Sequence, residues 1–226
     1  MIDIFINFND TNKKTIIAAE KCKISIDNAR LNAELFDGVW RDDAMKVAES
    51  MALKLGQFDQ SFSETNAVVG CFLSHYKLWK KIKKLTLILE HDAILLESAA
   101  EAFREFINEY QPKLESDITL MNVGKPSYGN FYVQKTPGVY KLFSKPDGKF
   151  PGTHGYLIEP KASKALIAQS HIEGIYPVDK FMNNTRFNFL TELYPWPIEC
   201  NDSFTSIQKE KGCLAKHNFS KDFIIL

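Results

Sequence analysis

Gly70-Cys71-Phe72-Leu73-Ser74-His75-Tyr76-Lys77-Leu78-Trp79, followed after a lysine-rich spacer by Leu85-Thr86-Leu87-Ile88-Leu89-Glu90-His91-Asp92, is the stretch that decides the fold. Val69, Phe72, Leu73, Tyr76 and Ile82 form one apolar side, so a helix is predicted over about 66–83. Lys77, Lys80, Lys81, Lys83 and Lys84 gather at its end, where the helix dipole favours cations. Leu85 to Leu89 is a short unbroken apolar run, which suits a strand covered on both faces. It stops abruptly at Glu90-His91-Asp92. Helix followed by doubly buried strand is a unit of an α/β sheet, and such sheets bind ligands beyond the carboxyl ends of their strands.

The same alternation continues to either side. Ile2, Ile4 and Ile6 alternate with Asp3, Phe5 and Asn7 in an opening strand. A helix is predicted from about Asp42 to Leu55, with Ala44, Val47, Ala48, Met51 and Leu55 on one face. A helix near Ala99–Tyr110 and a strand near Ile118–Val123 follow. Gly124 to Gly152 is punctuated by Gly and Pro and reads as a hairpin with loops. Gly155–Ile158 is a strand, and Lys161–Ser170 a helix behind Pro160. The expected architecture is one α/β domain over 1–226, with a mainly parallel sheet and helices on both faces.

Composition bounds the function. The 226 residues are 45% hydrophobic, enough for one core. Lys plus Arg and Asp plus Glu number 28 each, so net charge gives no global case for nucleic acid or an anionic membrane. No apolar run approaches the roughly 20 residues of a membrane helix, and no signal peptide opens the chain, so no transmembrane anchor is expected. Cys22, Cys71, Cys200 and Cys213 are far apart without a Cys-x-x-Cys spacing, which reads as reduced thiols in a cytoplasm.

The acids after the buried strand are the chemical focus. On an extended chain Glu90 and Asp92 point the same way. Two carboxylates there can hold a hard divalent cation, Mg²⁺ or Mn²⁺, which binds oxygen and bridges phosphates. The same pattern also arises from turn residues and helix caps.

Gly-Cys-x-x-Ser-His-x-x-x-Trp at 70–79 and the apolar run into Glu90-His91-Asp92 resemble the core signature of glycosyltransferase family 25, which includes bacterial lipooligosaccharide and collagen galactosyltransferases. Weaker matches follow in order: Ile6-Asn7, Phe36-Asp37-Gly38, Gly152-Thr153-His154-Gly155-Tyr156-Leu157-Ile158 with Lys161 to Leu166, Tyr176-Pro177-Val178-Asp179, and Phe204 to Ile207. Two features depart from the pattern. His91 stands where the family has a central acid, and Lys13 and Lys14 stand near where arginines follow the first strand.

The resemblance implies a GT-A-like fold, a nucleoside-diphosphate sugar donor (a UDP-sugar first) and inverting transfer. The donor-binding part would cover about 1–123 and the acceptor side about 124–226. Ser74, His75, Glu90, Asp92 and His154 become donor-site candidates, with Asp92 and Glu90 as metal ligands. Asp179 becomes the candidate base, since inverting transfer needs a group that takes the acceptor's proton. Each has a plain alternative: a local hydrogen bond for Ser74, core packing for His75, a helix N-cap for Asp179. His171 or His217 would be a third metal ligand, Trp196 a sugar-stacking ring, and Glu192 or Asp202 a substitute base. The acceptor would be a surface glycan such as lipooligosaccharide, or a hydroxylated base in phage-type DNA. A catalytically inactive sugar- or nucleotide-binding module of the same fold is the rival reading.

Overall fold

A computed structural model describes residues 2–58, 64–126, 132–142, 150, 153–200 and 224–225. In chain order these form β1 (Asp3–Phe8), α1 (Lys13–Asn28), β2 (Glu34–Asp37), α2 (Ala44–Ser50), α3 (Thr65–Lys81), β3 (Thr86–Glu90), β4 (Ala93–Leu95) and α4 (Glu97–Ser116). There follow β5 (Leu120–Asn122), β6 (Tyr132–Val133), β7 (Gly138–Lys141), β8 (Gly155–Ile158), α5 (Pro160–Glu173), α6 (Val178–Phe181), β9 (Leu190–Tyr194), β10 (Ile198–Cys200) and β11 (Ile224–Ile225).

A seven-stranded sheet in the order β2-β1-β3-β8-β5-β9-β7 forms the centre. β1 pairs in parallel with β2 and β3, and β5 with β9, while β8 runs antiparallel to both β3 and β5 and β7 antiparallel to β9. Five strands therefore point one way, and the sheet is mainly parallel as expected. Two short pairs, β4–β10 antiparallel and β6–β11 parallel, lie beside it.

The core has a layer on each side of this sheet. Ile4, Ile6, Leu87 and Leu89 pack with Cys22 and Ile26 of α1 and Phe103 and Ile107 of α4. Phe5 and Ile88 face the opposite layer, with Phe72, Leu73 and Trp79 of α3, Leu166 of α5 and Phe181 of α6. The apolar run before Glu90 is thus covered on both faces, as its composition implied. α3 is the most enclosed helix: eleven of its residues are buried, from Ala67 to Trp79. Gly70 makes that enclosure possible, because a Cβ there would lie 2.6 Å from the Val39 carbonyl oxygen.

Two predicted helix ends move. The helix expected to reach Leu55 ends at Ser50: Ala52 takes φ 53°, and Leu55 instead bridges Ile175. The helix expected to end near Tyr110 runs to Ser116 through Pro112, shortening the next strand to Leu120–Asn122. One helix was not predicted: α1, sixteen residues long and opened by Asn12, whose side chain accepts the Lys14 N–H. No helix among the described residues is long and apolar enough to cross a membrane.

Candidate functional site

β1 and β3 end together, with Asn7 opposite Glu90. Their carboxyl ends, the N-terminal half of α3 and the segment after β2 enclose a cavity of ≈ 90 Å³ lined by Asn7, Asn9, Trp40, Arg41, Glu90 and His91, among others. That space holds a fragment of a nucleotide rather than the whole. Cys71 and Ser74 of α3 complete the wall. Ser74 is committed locally: its Oγ donates to the Gly70 carbonyl at 2.7 Å and accepts the Val39 N–H at 2.8 Å. It thereby ties the segment after β2 to α3.

The chain does not stay extended past Glu90. His91 and Asp92 form a turn before β4, so Glu90 and Asp92 are not brought to one side by strand alternation. Each joins a different cluster. Glu90 groups with Cys71 and His75, and Asp92 groups with His154 and Cys200, the ligand-capable atoms within each trio lying within 4.8 Å of one another. His154 stands between the two acids, with its Nδ1 3.9 Å from Glu90 Oε2. It precedes β8 directly, and its carbonyl accepts the Glu90 N–H at 3.0 Å. The residue before it, Thr153, takes φ 50°, an uncommon conformation for a β-branched side chain, and donates from Oγ1 to Glu90 Oε1 at 3.0 Å.

His75 is fully enclosed, and burial pushes its pKa down to about 4, so the ring is neutral. Its Nδ1 lies 2.8 Å from the Tyr156 hydroxyl, which also accepts the Trp79 indole N–H at 2.9 Å. The Tyr156 hydroxyl, the Trp79 indole and His75 Nδ1 are all satisfied when Tyr156 donates to Nδ1, leaving the His75 proton on Nε2, 3.6 Å from Glu90 Oε1. Glu90 is pushed up to about 7, first by burial and then by the Asp92 carboxylate, against the opposing pull of His154, His91 and Thr153. A carboxyl of this kind takes or releases a proton near neutrality.

Asp179 lies second in α6, after Val178; Pro177, not Asp179, occupies the N-cap position. Its Oδ1 accepts the Lys180 N–H at 2.9 Å. α6 is seated by Phe181, which stacks on Trp79 and meets Phe72 edge-on. The Asp179 carboxylate is close enough to Cys71 to act on it electrostatically. The Cys71 thiol is pushed well above its ordinary pKa, first by burial, then by Glu90, Asp179 and Asp92. The two acids of one turn and a third, from α6, therefore lie within electrostatic reach of Cys71 on α3.

Four buried side-chain atoms here have no hydrogen-bond partner among the described residues: His75 Nε2, Asp92 Oδ1, and both ring nitrogens of His154. Leaving such atoms unpaired costs about 1–3 kcal/mol each. A carboxylate oxygen and an imidazole nitrogen facing one space suit a divalent cation that accepts both donors, so the donor set at Asp92 fits Mn²⁺ and fits the oxygen-preferring Mg²⁺ less well.

The other candidates lie elsewhere. His171 Nε2 meets the Tyr76 hydroxyl at 2.9 Å. Glu192 is buried and accepts from Asn122 Nδ2 and Trp196 Nε1, both at 2.7 Å, which occupies Trp196 in the core. Gly152, Asp202, the Phe204–Ile207 match, Cys213 and His217 lie outside the described residues. Asn9, Trp40, Arg41 and Cys200 were missed in the sequence. Asn9, Trp40 and Arg41 lie in short segments just past a strand, without periodicity, and Cys200 ends a three-residue strand too short to show one.

The model of glycosyltransferase family 25 (LPS biosynthesis protein) matches residues 1–182. No curated protein matches the chain. Among solved structures, a glycosyltransferase of Streptococcus pneumoniae TIGR4 aligns at 11% identity and a TM-score of 0.42, over 96% of this chain and 58% of its own. A glycosyltransferase involved in glycosylating the major capsid of PBCV-1 aligns at 12% identity and 0.35, over 74% of this chain and 66% of its own. The chain thus spans less than two thirds of the length of either. With four fifths of its length matched, including both halves of the Gly70–Asp92 signature, the chain belongs to glycosyltransferase family 25.

Proposed function

We propose that this chain transfers a sugar from a nucleoside-diphosphate sugar, a UDP-sugar first, to an acceptor hydroxyl with inversion, in the cytoplasm and on a GT-A-like framework. The observation that carries the reading is the cavity at the ends of β1 and β3, lined by Glu90 with Asp92 in the turn just after it, and Asp179 within electrostatic reach of Cys71 in its wall. In this reading residues 1–123 bind the donor and 124–226 form the acceptor side. The nucleoside enters the cavity between Asn7, Asn9 and Trp40, with Arg41 near the phosphates. Asp92, with Glu90 beside it, would hold Mn²⁺ or Mg²⁺, which supplies charge neutralisation for the departing diphosphate. Asp179 takes the proton of the acceptor hydroxyl. The acceptor oxygen then bonds to the anomeric carbon as the bond to the diphosphate breaks, releasing a nucleoside diphosphate. Ser74 and His75 support the donor site from behind: Ser74 fixes the cavity wall, and His75 presents its Nε2 to Glu90.

The family's description as an LPS biosynthesis protein supports a surface glycan as acceptor. The test is incubation with a panel of nucleotide sugars, offering lipooligosaccharide or hydroxymethylated DNA, with and without Mn²⁺. The expected result is nucleotide release with sugar on the glycan. Sugar on the DNA instead would move the acceptor, and donor binding without any nucleotide release would leave an inactive binding module.

A further inference from the structure

We propose that Asp92, His154 and Cys200 form a three-residue site for a thiophilic first-row divalent cation of the Zn²⁺ or Co²⁺ kind. The inference rests on the proposed donor site, because it shares Asp92, and it adds two ligands that the Glu-x-Asp pattern does not contain.

Three elements supply the trio. Asp92 sits in the turn between β3 and β4, His154 lies directly before β8, and Cys200 ends β10, paired across the ladder with Ala93. The Cys200 thiol donates to Asp92 Oδ2 at 3.3 Å. Asp92 Oδ1 and both nitrogens of His154 have no hydrogen-bond partner among the described residues, and His154 is only 5% exposed. A buried imidazole with neither nitrogen bonded is uncommon, because each leaves a desolvated polar atom unpaired. One oxygen, one nitrogen and one sulfur, all within 4.8 Å, need only a small closure to reach the roughly 3.5 Å separations of a tetrahedral shell. Three protein ligands leave a fourth position open.

The sulfur decides which cation is favoured. Mg²⁺ prefers oxygen and keeps its waters, whereas a thiolate selects softer ions of the Zn²⁺ and Co²⁺ type. Binding requires Cys200 to lose its proton to solvent, and the cation then takes the place of that proton between sulfur and carboxylate. Cys71 offers the same donor type near Glu90, but its partner His75 already holds Tyr156 through Nδ1.

The test is Co²⁺ titration of the full chain under reducing conditions, read by absorbance. One equivalent should give visible ligand-field bands and a near-ultraviolet sulfur-to-cobalt charge-transfer band. Cys200→Ser should lose the charge-transfer band and bind at least about tenfold more weakly, with an unchanged circular dichroism spectrum, while Cys71→Ser keeps the band. Absence of the band in the native chain, or its persistence in Cys200→Ser, overturns the site. Donor turnover measured on the same samples separates the two readings. Metal-dependent turnover without the band sinks the thiolate site alone. The band without nucleotide release from any donor sinks the transferase reading alone.

Discussion

The backbone N–H of Glu90 donates to the carbonyl of His154 at 3.0 Å, so the end of β3 and the start of β8 are one structural unit. β8 is the strand that reverses direction inside an otherwise parallel run. Its reversal delivers His154 to the carboxyl end of β3, beside both acids of the Glu90-His91-Asp92 turn.

Asp92→Asn tests the charge at that turn. The amide can still accept the Cys200 S–H, so the fold should survive with an unchanged melting temperature. Turnover should fall by orders of magnitude, because charge stabilisation by a cation is worth several kcal/mol. Native-like turnover in excess chelator would remove the cation from the account.

Asp179→Asn separates base from structure. The Lys180 N–H can bond to an amide oxygen as it does to Asp179 Oδ1, so stability should hold. Turnover should drop about 10²–10⁴-fold with donor affinity unchanged. Kinetics with saturating donor, alongside a nucleotide titration, measure both. Near-normal turnover would strip Asp179 of the role.

How far the sequence carried this account differs by element. β3 was legible because Leu87, Ile88 and Leu89 are unbroken and end at charges, and α3 because its apolar residues repeat at helical spacing. α1 was not: its buried stripe is Thr15, Ala19, Cys22 and Ile26, small and mixed, while Ile17 and Ile24 stand exposed and blur the period. Glu90 and Asp92 were found as residues, but their division between two clusters depends on the His91-Asp92 turn, which no spacing reveals. His154 stood out as a donor-site candidate and Cys200 did not, but that both meet the Asp92 turn depends on the long-range pairing of β8 and β10. Such pairing leaves no local trace.

Gly70→Ala should reverse the ordinary rule for helices. Replacing Gly by Ala inside a helix stabilises by roughly 0.5–1 kcal/mol when the new methyl has room. Here it would sit 2.6 Å from the Val39 carbonyl oxygen and drive α3 from the segment that Ser74 holds. A loss of about 1–3 kcal/mol is expected by chemical denaturation. A more stable variant would contradict the packing described.

His75 should make the fold acid-sensitive. Its folded pKa of about 4 lies below the ordinary 6.5, so below pH 6.5 the unfolded chain takes up the proton first. Stability is complete above 6.5 and is lost as pH falls toward 4. Glu90 works in the opposite sense, since its pKa is raised to about 7 and the folded state binds the extra proton between 4.5 and 7. The comparison is therefore made in a Glu90→Gln background, with and without His75→Gln. Between about pH 7.5 and 5 the chain retaining His75 should lose about 2 kcal/mol more. Equal losses would mean that His75 is not held neutral by burial.

The most direct measurement is a crystal structure of the chain with a nucleoside diphosphate and Mn²⁺. The account predicts the base and ribose in the cavity by Asn7 and Trp40, and the diphosphate beside Asp92. A nucleotide bound with its phosphates more than about 10 Å from Asp92, beyond direct contact or a water bridge, would contradict it.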